Sequence, residues 1–374
     1  MIPVNRPFFG PEEEQAAVAV LRSGWVTQGP RVAEFERAFA AYLGQREAIA
    51  VSSCTTGLHL VLHALGVGPG DEVIVPSLSF IATANAVSHT GATPVFADVD
   101  LATYNLSPAS AEAALSPQTK AVLVVHQVGL PADLESFRAL AARAGAALVE
   151  DAACAIGSRA GGRLVGSESH AAVFSFHPRK LVTTGEGGMI VTRDPDLAGR
   201  LRSLRHHGVS VSDHARHAAP AVVVESYREV GFNYRMTDLQ AAIGLAQLAR
   251  LEEVVATRIA QAERYNRAFQ RHPALAVPAV LPAVRFNYQT YLLRLLPGSR
   301  TDRDGLMRAL LERGIATRRG ITAAHREPAY RDRPLRVPLP ATDEAERSTI
   351  VLPLFHALEP KDQDRVIEAV LDLV

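Results

Sequence analysis

Short apolar segments alternate with helical patterns between residues 48 and 149, and this alternation constrains the fold more than any other feature of the chain. The strands are predicted at 48–51, 72–75, 94–97, 121–125 and 147–149, and the helices between them at 55–65, 81–90, 110–115 and 133–144. Apolar strands separated by helices are typical of a mostly parallel sheet that is covered on both faces. The pattern therefore predicts a doubly wound α/β domain.

The pattern changes in the second half of the chain. A strand is predicted at 189–192 and helices at 197–205, 236–248 and 251–269, before a proline-punctuated region with a strand at 291–296 and helices at 304–313 and 361–373. With 374 residues the chain is long enough for two cores. We predict a large domain over residues 1–250, including an N-terminal helical segment, and a smaller α/β C-terminal domain over residues 251–374.

The composition argues against several classes of protein. Lys and Arg total 39, as do Asp and Glu, so the net charge is zero and gives no general attraction to nucleic acid or to an acidic membrane. No apolar run approaches the roughly 20 residues of a membrane-spanning helix, and the first residues do not resemble a signal peptide. Cys54 and Cys154 are the only cysteines, which favours a reducing cytoplasm over a disulfide framework.

A lysine in a glycine-rich segment follows an acidic residue at the end of an apolar strand. Residues 175–180 read Ser-Phe-His-Pro-Arg-Lys, residues 183–188 read Thr-Thr-Gly-Glu-Gly-Gly, and Asp151 lies upstream in Val-Glu-Asp-Ala-Ala. Pyridoxal 5′-phosphate (PLP) needs a lysine amine for its Schiff base and a carboxylate that keeps its ring nitrogen protonated. The sequence thus predicts Lys180 and Asp151 as catalytic residues and PLP as the cofactor.

Phosphate binding is predicted at the segment Thr55-Thr56-Gly57. It follows a strand and begins a helix, so its free N–H groups and the positive end of the helix dipole are suited to bind the doubly charged phosphate. The hydroxyl of Ser175, close to the lysine, is a further candidate.

The chain resembles the DegT/StrS family of PLP-dependent aminotransferases, which act on keto-sugars. Seven segments in the family's order carry the resemblance: 23–30, 53–58, 70–76, 91–98, 150–153, the lysine segment, and 231–242 with its sequence Gly-Phe-Asn-Tyr-Arg-Met-Thr-Asp-Leu-Gln-Ala-Ala. The resemblance implies the PLP-dependent transferase fold type I, with a mostly parallel seven-stranded sheet in the large domain.

The resemblance also implies roles for individual residues. Lys180 would form the Schiff base, Asp151 would pair with the ring nitrogen, and Phe80 would stack on the ring. Thr55, Thr56 and Ser175 would bind the phosphate. Asn233 would reach the phosphate of the neighbouring subunit's cofactor, so the active site of a homodimer or higher even oligomer would lie at the subunit interface.

One cofactor-binding position departs from the family pattern. Cys154 follows Asp151-Ala152-Ala153, where a Gln or His often bonds the ring hydroxyl. A thiol is a poor hydrogen-bond donor, so the hydrogen bonding of the ring oxygen is expected to differ from that in the family.

Five residues are candidates for the substrate pocket: Trp25, His177, Glu186, Arg318 and His325. An arginine fork suits a nucleotide diphosphate better than a lysine does.

Basic residues also cluster downstream of the lysine, at Arg202, Arg205, His206, His207, His214, Arg216 and His217. Their spacing lacks a metal-ligand pattern and no carboxylate pair accompanies them, so a solvated loop is predicted and no metal site.

The resemblance implies transfer of an amino group from an amino acid, L-glutamate first, to a nucleotide-linked 3-keto or 4-keto-6-deoxy sugar, in the biosynthesis of amino sugars for polysaccharides or antibiotics. Lys180 would be the general acid and base. A glutamine-dependent aminotransferase of a cyclitol ketone is an alternative. A sugar dehydratase is disfavoured, because related dehydratases carry His at the position of Lys180. A non-catalytic PLP-binding regulator is disfavoured too, because no basic helix-turn-helix segment is visible.

Overall fold

The computed structural model describes residues 1–211 and 222–374. Within them the helices are α1 (Pro11–Ser23), α2 (Pro30–Leu43), α3 (Cys54–Ala64), α4 (Ala82–His89), α5 (Pro108–Ala113), α6 (Leu134–Ala144), α7 (Pro195–Leu204), α8 (Asp238–Ala249), α9 (Leu251–Phe269), α10 (Arg303–Glu312), α11 (Pro340–Ser348) and α12 (Pro360–Leu373). The strands are β1 (Glu47–Val51), β2 (Glu72–Pro76), β3 (Thr93–Ala97), β4 (Thr119–Val125), β5 (Ala147–Asp151), β6 (Arg159–Ala160), β7 (Arg163–Leu164), β8 (Ala172–Ser175), β9 (Gly188–Thr192), β10 (Leu275–Ala276), β11 (Val284–Arg285), β12 (Tyr291–Leu295), β13 (Arg318–Arg319) and β14 (Thr349–Leu352).

Seven strands form the large sheet, in the order β1-β9-β8-β5-β4-β2-β3. All neighbours from β8 to β3 are parallel, whereas β9 runs antiparallel to both β1 and β8. The predicted mostly parallel, seven-stranded sheet is confirmed. Since β1, β5 and β8 run in the same direction, their carboxyl ends meet at one edge, where α/β sheets place ligands.

Both faces of this sheet are covered, because successive side chains of a strand point to opposite faces. In β1, Ile49 and Val51 belong to the core that contains α3, whereas Ala48 and Ala50 belong to the core that contains Phe35 and Phe39 of α2. Burial of apolar side chains on both faces accounts for strands that are apolar along their length.

A second sheet of four antiparallel strands, β10-β12-β14-β13, lies in the last hundred residues. Its core includes Tyr265 of α9 and Val366 of α12. The core also takes in Ile2, whose backbone pairs with Ile315, so the first residues of the chain pack against the last part. The boundary near residue 250 stays a prediction.

The third sheet is small and positions the site. β11 pairs with β6, which pairs with β7, so the segment that follows β11 runs against the turn that follows β5.

No helix in residues 1–211 and 222–374 has the length and apolarity that crossing a bilayer requires.

Sequence patterns did not predict every element. The strands β6, β7, β8, β10, β11, β13 and β14 and the helix α11 were not predicted, whereas the strands and helices that were predicted lie within two residues of their observed bounds. Five of these strands, β6, β7, β10, β11 and β13, have only two residues each, which is too short to show a period.

Candidate active site

Three sequence-predicted groups meet at the carboxyl edge of the large sheet. Asp151 ends β5, Lys180 lies in the turn between β8 and β9, and two residues separate the end of β1 from the start of α3. The connections are short, so the positions of these groups are set by the strands to which they are attached.

Asp151 is buried, with 5% of its surface exposed. Its Oδ2 accepts a hydrogen bond of 2.9 Å from the Thr83 hydroxyl, and its Oδ1 accepts one of 3.1 Å from the Ala153 N–H. Burial raises the pKa of Asp151, while these two donors and the nearby Lys180 charge oppose the rise. Such a carboxylate is well placed to hold a protonated ring nitrogen, which would supply the missing counter-charge.

Lys180 is half-buried, and its Nζ lies 3.1 Å from Sγ of Cys154. Burial alone would lower the pKa of the Lys180 ammonium, but Cys154, Cys54 and Asp151 together hold that pKa above its ordinary value. Cys54 lies close by, with its Sγ 4.0 Å from Oδ1 of Asp151, and burial raises the pKa of its thiol well above the ordinary value. Both cysteines of the chain thus adjoin the lysine and the carboxylate.

The first turn of α3 offers groups for an anion. Ser53 caps the helix and accepts a hydrogen bond from the Thr56 N–H, while the Thr56 hydroxyl lies 3.0 Å from the Ser53 N–H and 2.8 Å from the Ser53 carbonyl. Cys54 and Thr55 lie in the first turn of the helix, where backbone N–H groups have no carbonyl partner within the helix. The Thr56 hydroxyl is therefore already hydrogen-bonded within the protein, so Thr55 is the better placed of the two predicted threonines to bind a phosphate. Ser175 ends β8, is buried, and accepts a 3.4 Å hydrogen bond from the His177 N–H.

Phe80 and Asn233 are both exposed. Phe80 lies between β2 and α4 with 67% of its surface exposed, which is unusual for a large aromatic residue. Asn233 pairs through its backbone with His206. A lysine amine, a buried carboxylate with donors on both oxygens, a helix N-terminus and an uncovered aromatic ring are together the groups that fit pyridoxal 5′-phosphate.

The five substrate-pocket candidates differ in their surroundings. His177 Nε2 lies 4.0 Å from Glu186, and burial together with the charge of Arg179 lowers the pKa of His177. Arg318 of β13 is exposed overall, but partial burial of its guanidinium and the charges of Arg179 and Arg319 lower its pKa. The structure thus brings Arg318 of a distant segment close to Arg179 and His177, which belong to the lysine segment.

The other two candidates are engaged with the protein itself. Trp25 Nε1 donates a 3.2 Å hydrogen bond to the Gln28 carbonyl. His325 has Nδ1 2.7 Å from the Ser77 hydroxyl and Nε2 3.3 Å from Asp343. A contact of the His325 ring nitrogens with substrate would therefore have to replace one of these bonds, and its place in the pocket stays a prediction.

The sequence did not point to Thr83, Asn287 or Gln289, although their side chains reach the Asp151, Cys154 and Lys180 segments. No local motif surrounds any of the three, so only the contacts of the folded chain identify them.

The basic cluster is only partly described. His206 and His207 have ring centroids 5.8 Å apart, and Arg235 contacts His206. His214, Arg216 and His217 lie outside the described residues. In the described part of the chain, no group of three or more His, Cys, Asp or Glu side chains is arranged to hold a metal ion.

Comparison with known proteins gives a match over nearly the whole chain. The model of the DegT/DnrJ/EryC1/StrS aminotransferase family matches residues 8–371. The aminotransferase TlmJ from Streptoalloteichus hindustanus is 39% identical, with 99% of this chain and 98% of that chain covered and a TM-score of 0.90. The sugar aminotransferase CalS13 from Micromonospora echinospora is 30% identical, with both chains covered to 100% and a TM-score of 0.90. Spr1654 from Streptococcus pneumoniae, solved in a PLP form, is 26% identical, with 100% of this chain and 99% of that chain covered and a TM-score of 0.92.

Proposed function

Since the chain belongs to the DegT/DnrJ/EryC1/StrS family of PLP-dependent aminotransferases, we propose that it transfers an amino group from L-glutamate to a nucleotide-linked 3-keto or 4-keto-6-deoxy sugar. The observation that carries this proposal is the meeting of Lys180 and Asp151 at one sheet edge in a chain that matches the family from residue 8 to residue 371. The similarity to the sugar aminotransferase CalS13 supports a sugar as acceptor. The proximity of Arg318 to Arg179, the neighbour of Lys180 in the sequence, supports an acceptor that carries phosphate.

Each residue has a defined task in this reaction. When bound, PLP supplies an electron sink for the charge that develops on the substrate carbon next to nitrogen. Asp151 holds the ring nitrogen, with its carboxylate oriented by Thr83 and Ala153. The first turn of α3 anchors the phosphate, and Phe80 packs on the ring.

Lys180 has a second task besides attachment of the cofactor. Its Nζ would be the general base that takes the proton from the substrate carbon next to nitrogen, and the general acid that delivers a proton to the cofactor carbon bonded to the same nitrogen. A lysine performs this task only after it loses its own proton, so the groups that control the pKa of Lys180 also control the rate. Cys154 is the nearest of them, at 3.1 Å.

We further propose that the enzyme is a homodimer with active sites at the subunit interface. Asn233 is exposed, which leaves it available to the cofactor of a neighbouring subunit. Just before it, Val222, Val224, Tyr227 and Val230 expose between 66% and 94% of their surfaces, and a run of exposed apolar side chains is typical of an interaction surface. A cytoplasmic location is also proposed, and the two unpaired cysteines support it.

The proposal is tested by incubating the purified PLP-loaded enzyme with pairs of donors and acceptors. L-glutamate and L-glutamine are each combined with a nucleotide-linked 3-keto sugar, a nucleotide-linked 4-keto-6-deoxy sugar and an inosose, and products are identified by mass spectrometry. An aminated nucleotide sugar with L-glutamate is expected, and its formation is lost in Lys180→Ala. Amination of the inosose with glutamine would replace the proposal by a cyclitol aminotransferase. No amination of any ketone would favour a binding protein without turnover.

A further inference from the structure

Gln289 holds both neighbours of Lys180. Its side-chain Nε2 donates a 2.6 Å hydrogen bond to the Arg179 carbonyl, and its Oε1 accepts a 3.2 Å hydrogen bond from the Leu181 N–H. Gln289 is buried, with 6% of its surface exposed. A single side chain from a distant segment therefore fixes the backbone on either side of the lysine.

Asn287 does the same for the residue that faces the lysine. Its Nδ2 donates hydrogen bonds of 2.8 Å to the carbonyls of Cys154 and Ile156, and its Oδ1 accepts a 2.9 Å bond from the Gln289 N–H. Asn287 and Gln289 flank Tyr288, whose backbone is left-handed with a φ of 47°, and the bond from the Gln289 N–H to Asn287 Oδ1 bridges this bend in the segment. That segment thus fixes the backbone of both residues whose side chains meet at 3.1 Å, Cys154 and Lys180.

Arg258 of α9 anchors this segment from behind. Its Nε donates a 3.0 Å hydrogen bond to the Tyr288 carbonyl, and its Nη2 donates a 2.6 Å bond to the Gln289 carbonyl. The guanidinium is buried, which lowers the pKa of Arg258 to about 10. Among residues 1–211 and 222–374, no carboxylate forms an ion pair with it. Because an unpaired buried cation is costly, the two carbonyls hold the charge only while the segment keeps its position.

We propose that Arg258, Asn287 and Gln289 form a clamp that sets the position of Lys180 relative to Cys154 and Asp151. The clamp is made of positioning residues, since their hydrogen bonds go to the protein backbone and to each other. It rests on the proposed role of Lys180 as the lysine that carries the cofactor. The turn between β8 and β9 lies outside the sheet, so strand pairing does not fix the position of Lys180. The clamp supplies this restraint, because its three side chains come from the second half of the chain.

The test compares Gln289→Ala with Gln261→Ala. Gln261 is the matched control, because it is also a buried glutamine, lies on α9 one turn from Arg258, and donates a 3.0 Å hydrogen bond to a backbone carbonyl, that of Phe355. In the cofactor-free protein, amide hydrogen exchange of residues 179–184 is expected to become at least about tenfold faster in Gln289→Ala and to stay unchanged in Gln261→Ala. Equal exchange in the two variants would overturn the clamp.

A second measurement follows the amine itself. The chain has three lysines, and Lys120 and Lys361 are exposed, so acylation of each can be followed by mass spectrometry. In Gln289→Ala the pH profile of Lys180 acylation is expected to change while that of Lys120 does not. An unchanged Lys180 profile would count against the clamp even if exchange increases.

Two further arms keep the test decisive. Gln289→Glu is close in shape and retains the acceptor for Leu181 while losing the donor to Arg179, so if Gln289→Ala fails to fold, Gln289→Glu is expected to show the same faster exchange, and wild-type exchange in it would overturn the proposal. Borohydride reduction of PLP-loaded wild type decides the premise separately. If cofactor is never trapped on Lys180, the proposed function fails, whereas the exchange result on cofactor-free protein still decides whether the clamp exists.

Discussion

The Thr83 hydroxyl donates a 2.9 Å hydrogen bond to Oδ2 of Asp151. Both side chains are buried, with 2% of Thr83 and 5% of Asp151 exposed. The bond joins α4 to the end of β5 and is one of two that favour the charged carboxylate against the cost of burying it. Thr83 therefore helps to keep Asp151 charged, which the proposed role of Asp151 opposite a protonated ring nitrogen of PLP requires.

Replacing Thr83 by valine keeps the shape of the side chain and removes this donor. The pKa of Asp151, already raised by burial, is expected to rise further, so the carboxylate is protonated over a wider acid range. PLP affinity is expected to fall about 10- to 100-fold, the value of a hydrogen bond to a charged group. The acid limb of PLP binding is expected to move to higher pH, which a fluorescence titration at several pH values measures.

Thr83→Ser is the control for this variant, because it retains the hydroxyl. It is expected to bind PLP nearly as the wild type does. Equal affinities for the valine and serine variants would show that the hydrogen bond does not support Asp151.

Cys154 is expected to control the protonation of Lys180. Among the groups that raise the pKa of the lysine, Cys154 contributes most, against burial, which lowers it. In Cys154→Ala the pKa of Lys180 is therefore expected to fall, and the neutral amine becomes available at lower pH. Acylation of Lys180 in the cofactor-free protein, measured by mass spectrometry against pH with Lys120 as internal reference, is expected to shift toward acid.

Cys154→Ser separates charge from shape, since a hydroxyl of similar size does not ionise in this range. It should behave as the alanine variant does. A profile that stays in place, or that moves toward alkali, in both variants would refute control by the thiol.

Asn233 is expected to act on the active site of the neighbouring subunit. Lys180→Ala and Asn233→Ala are then each impaired alone, but a mixed dimer contains one site with both wild-type residues. With equal amounts and random exchange, half of the dimers are mixed, so about one quarter of wild-type activity is expected. Transaminase assays before and after mixing measure it.

The outcome depends on the two residues lying in different subunits at one site. If Asn233 acted on its own subunit's site, each site in the mixed dimer would carry one defect. Mixing would then restore no activity, although size-exclusion chromatography would still show dimers.

His59 is expected to make the protein sensitive to acid. Burial, with smaller contributions from the charges of His89 and His63, lowers the pKa of His59 from 6.5 to about 4. Between these values the unfolded chain binds a proton at this residue and the native protein does not, so the free energy of unfolding falls as the pH drops through that range. His59→Gln is expected to lose less stability than the wild type between pH 7 and pH 5, measured by urea unfolding of the cofactor-free protein.

The comparison between the two proteins isolates this residue. The pKa values of His177, His325 and His356 are also lowered by burial, but these residues are present in both proteins. Parallel losses of stability in wild type and variant would show that His59 does not carry the effect.

Local sequence patterns predicted those site residues that lie close to the end of a strand. Lys180, Asp151 and the first turn of α3 are each within a few residues of a strand of the large sheet, and the carboxyl ends of parallel strands lie at one edge. The direction of β9 and the position of β8 between β9 and β5 were not visible in the same way. The sequence of a strand of four or five residues does not indicate which strands lie beside it in the sheet.

The amino-acid sequence alone determined the α/β class and indicated the cofactor, with Lys180 and Asp151 as the residues predicted to bind it, because the class follows from periodicity and the other predictions follow from residue types near strand ends. Only the tertiary structure decided which groups hold them in place. Thr83 reaches Asp151 across 68 positions, Gln289 reaches Leu181 across 108, and Asn287 reaches Cys154 across 133. Hydrogen bonds between such distant segments depend on how sheets and helices pack together, and no local pattern of residues specifies that packing.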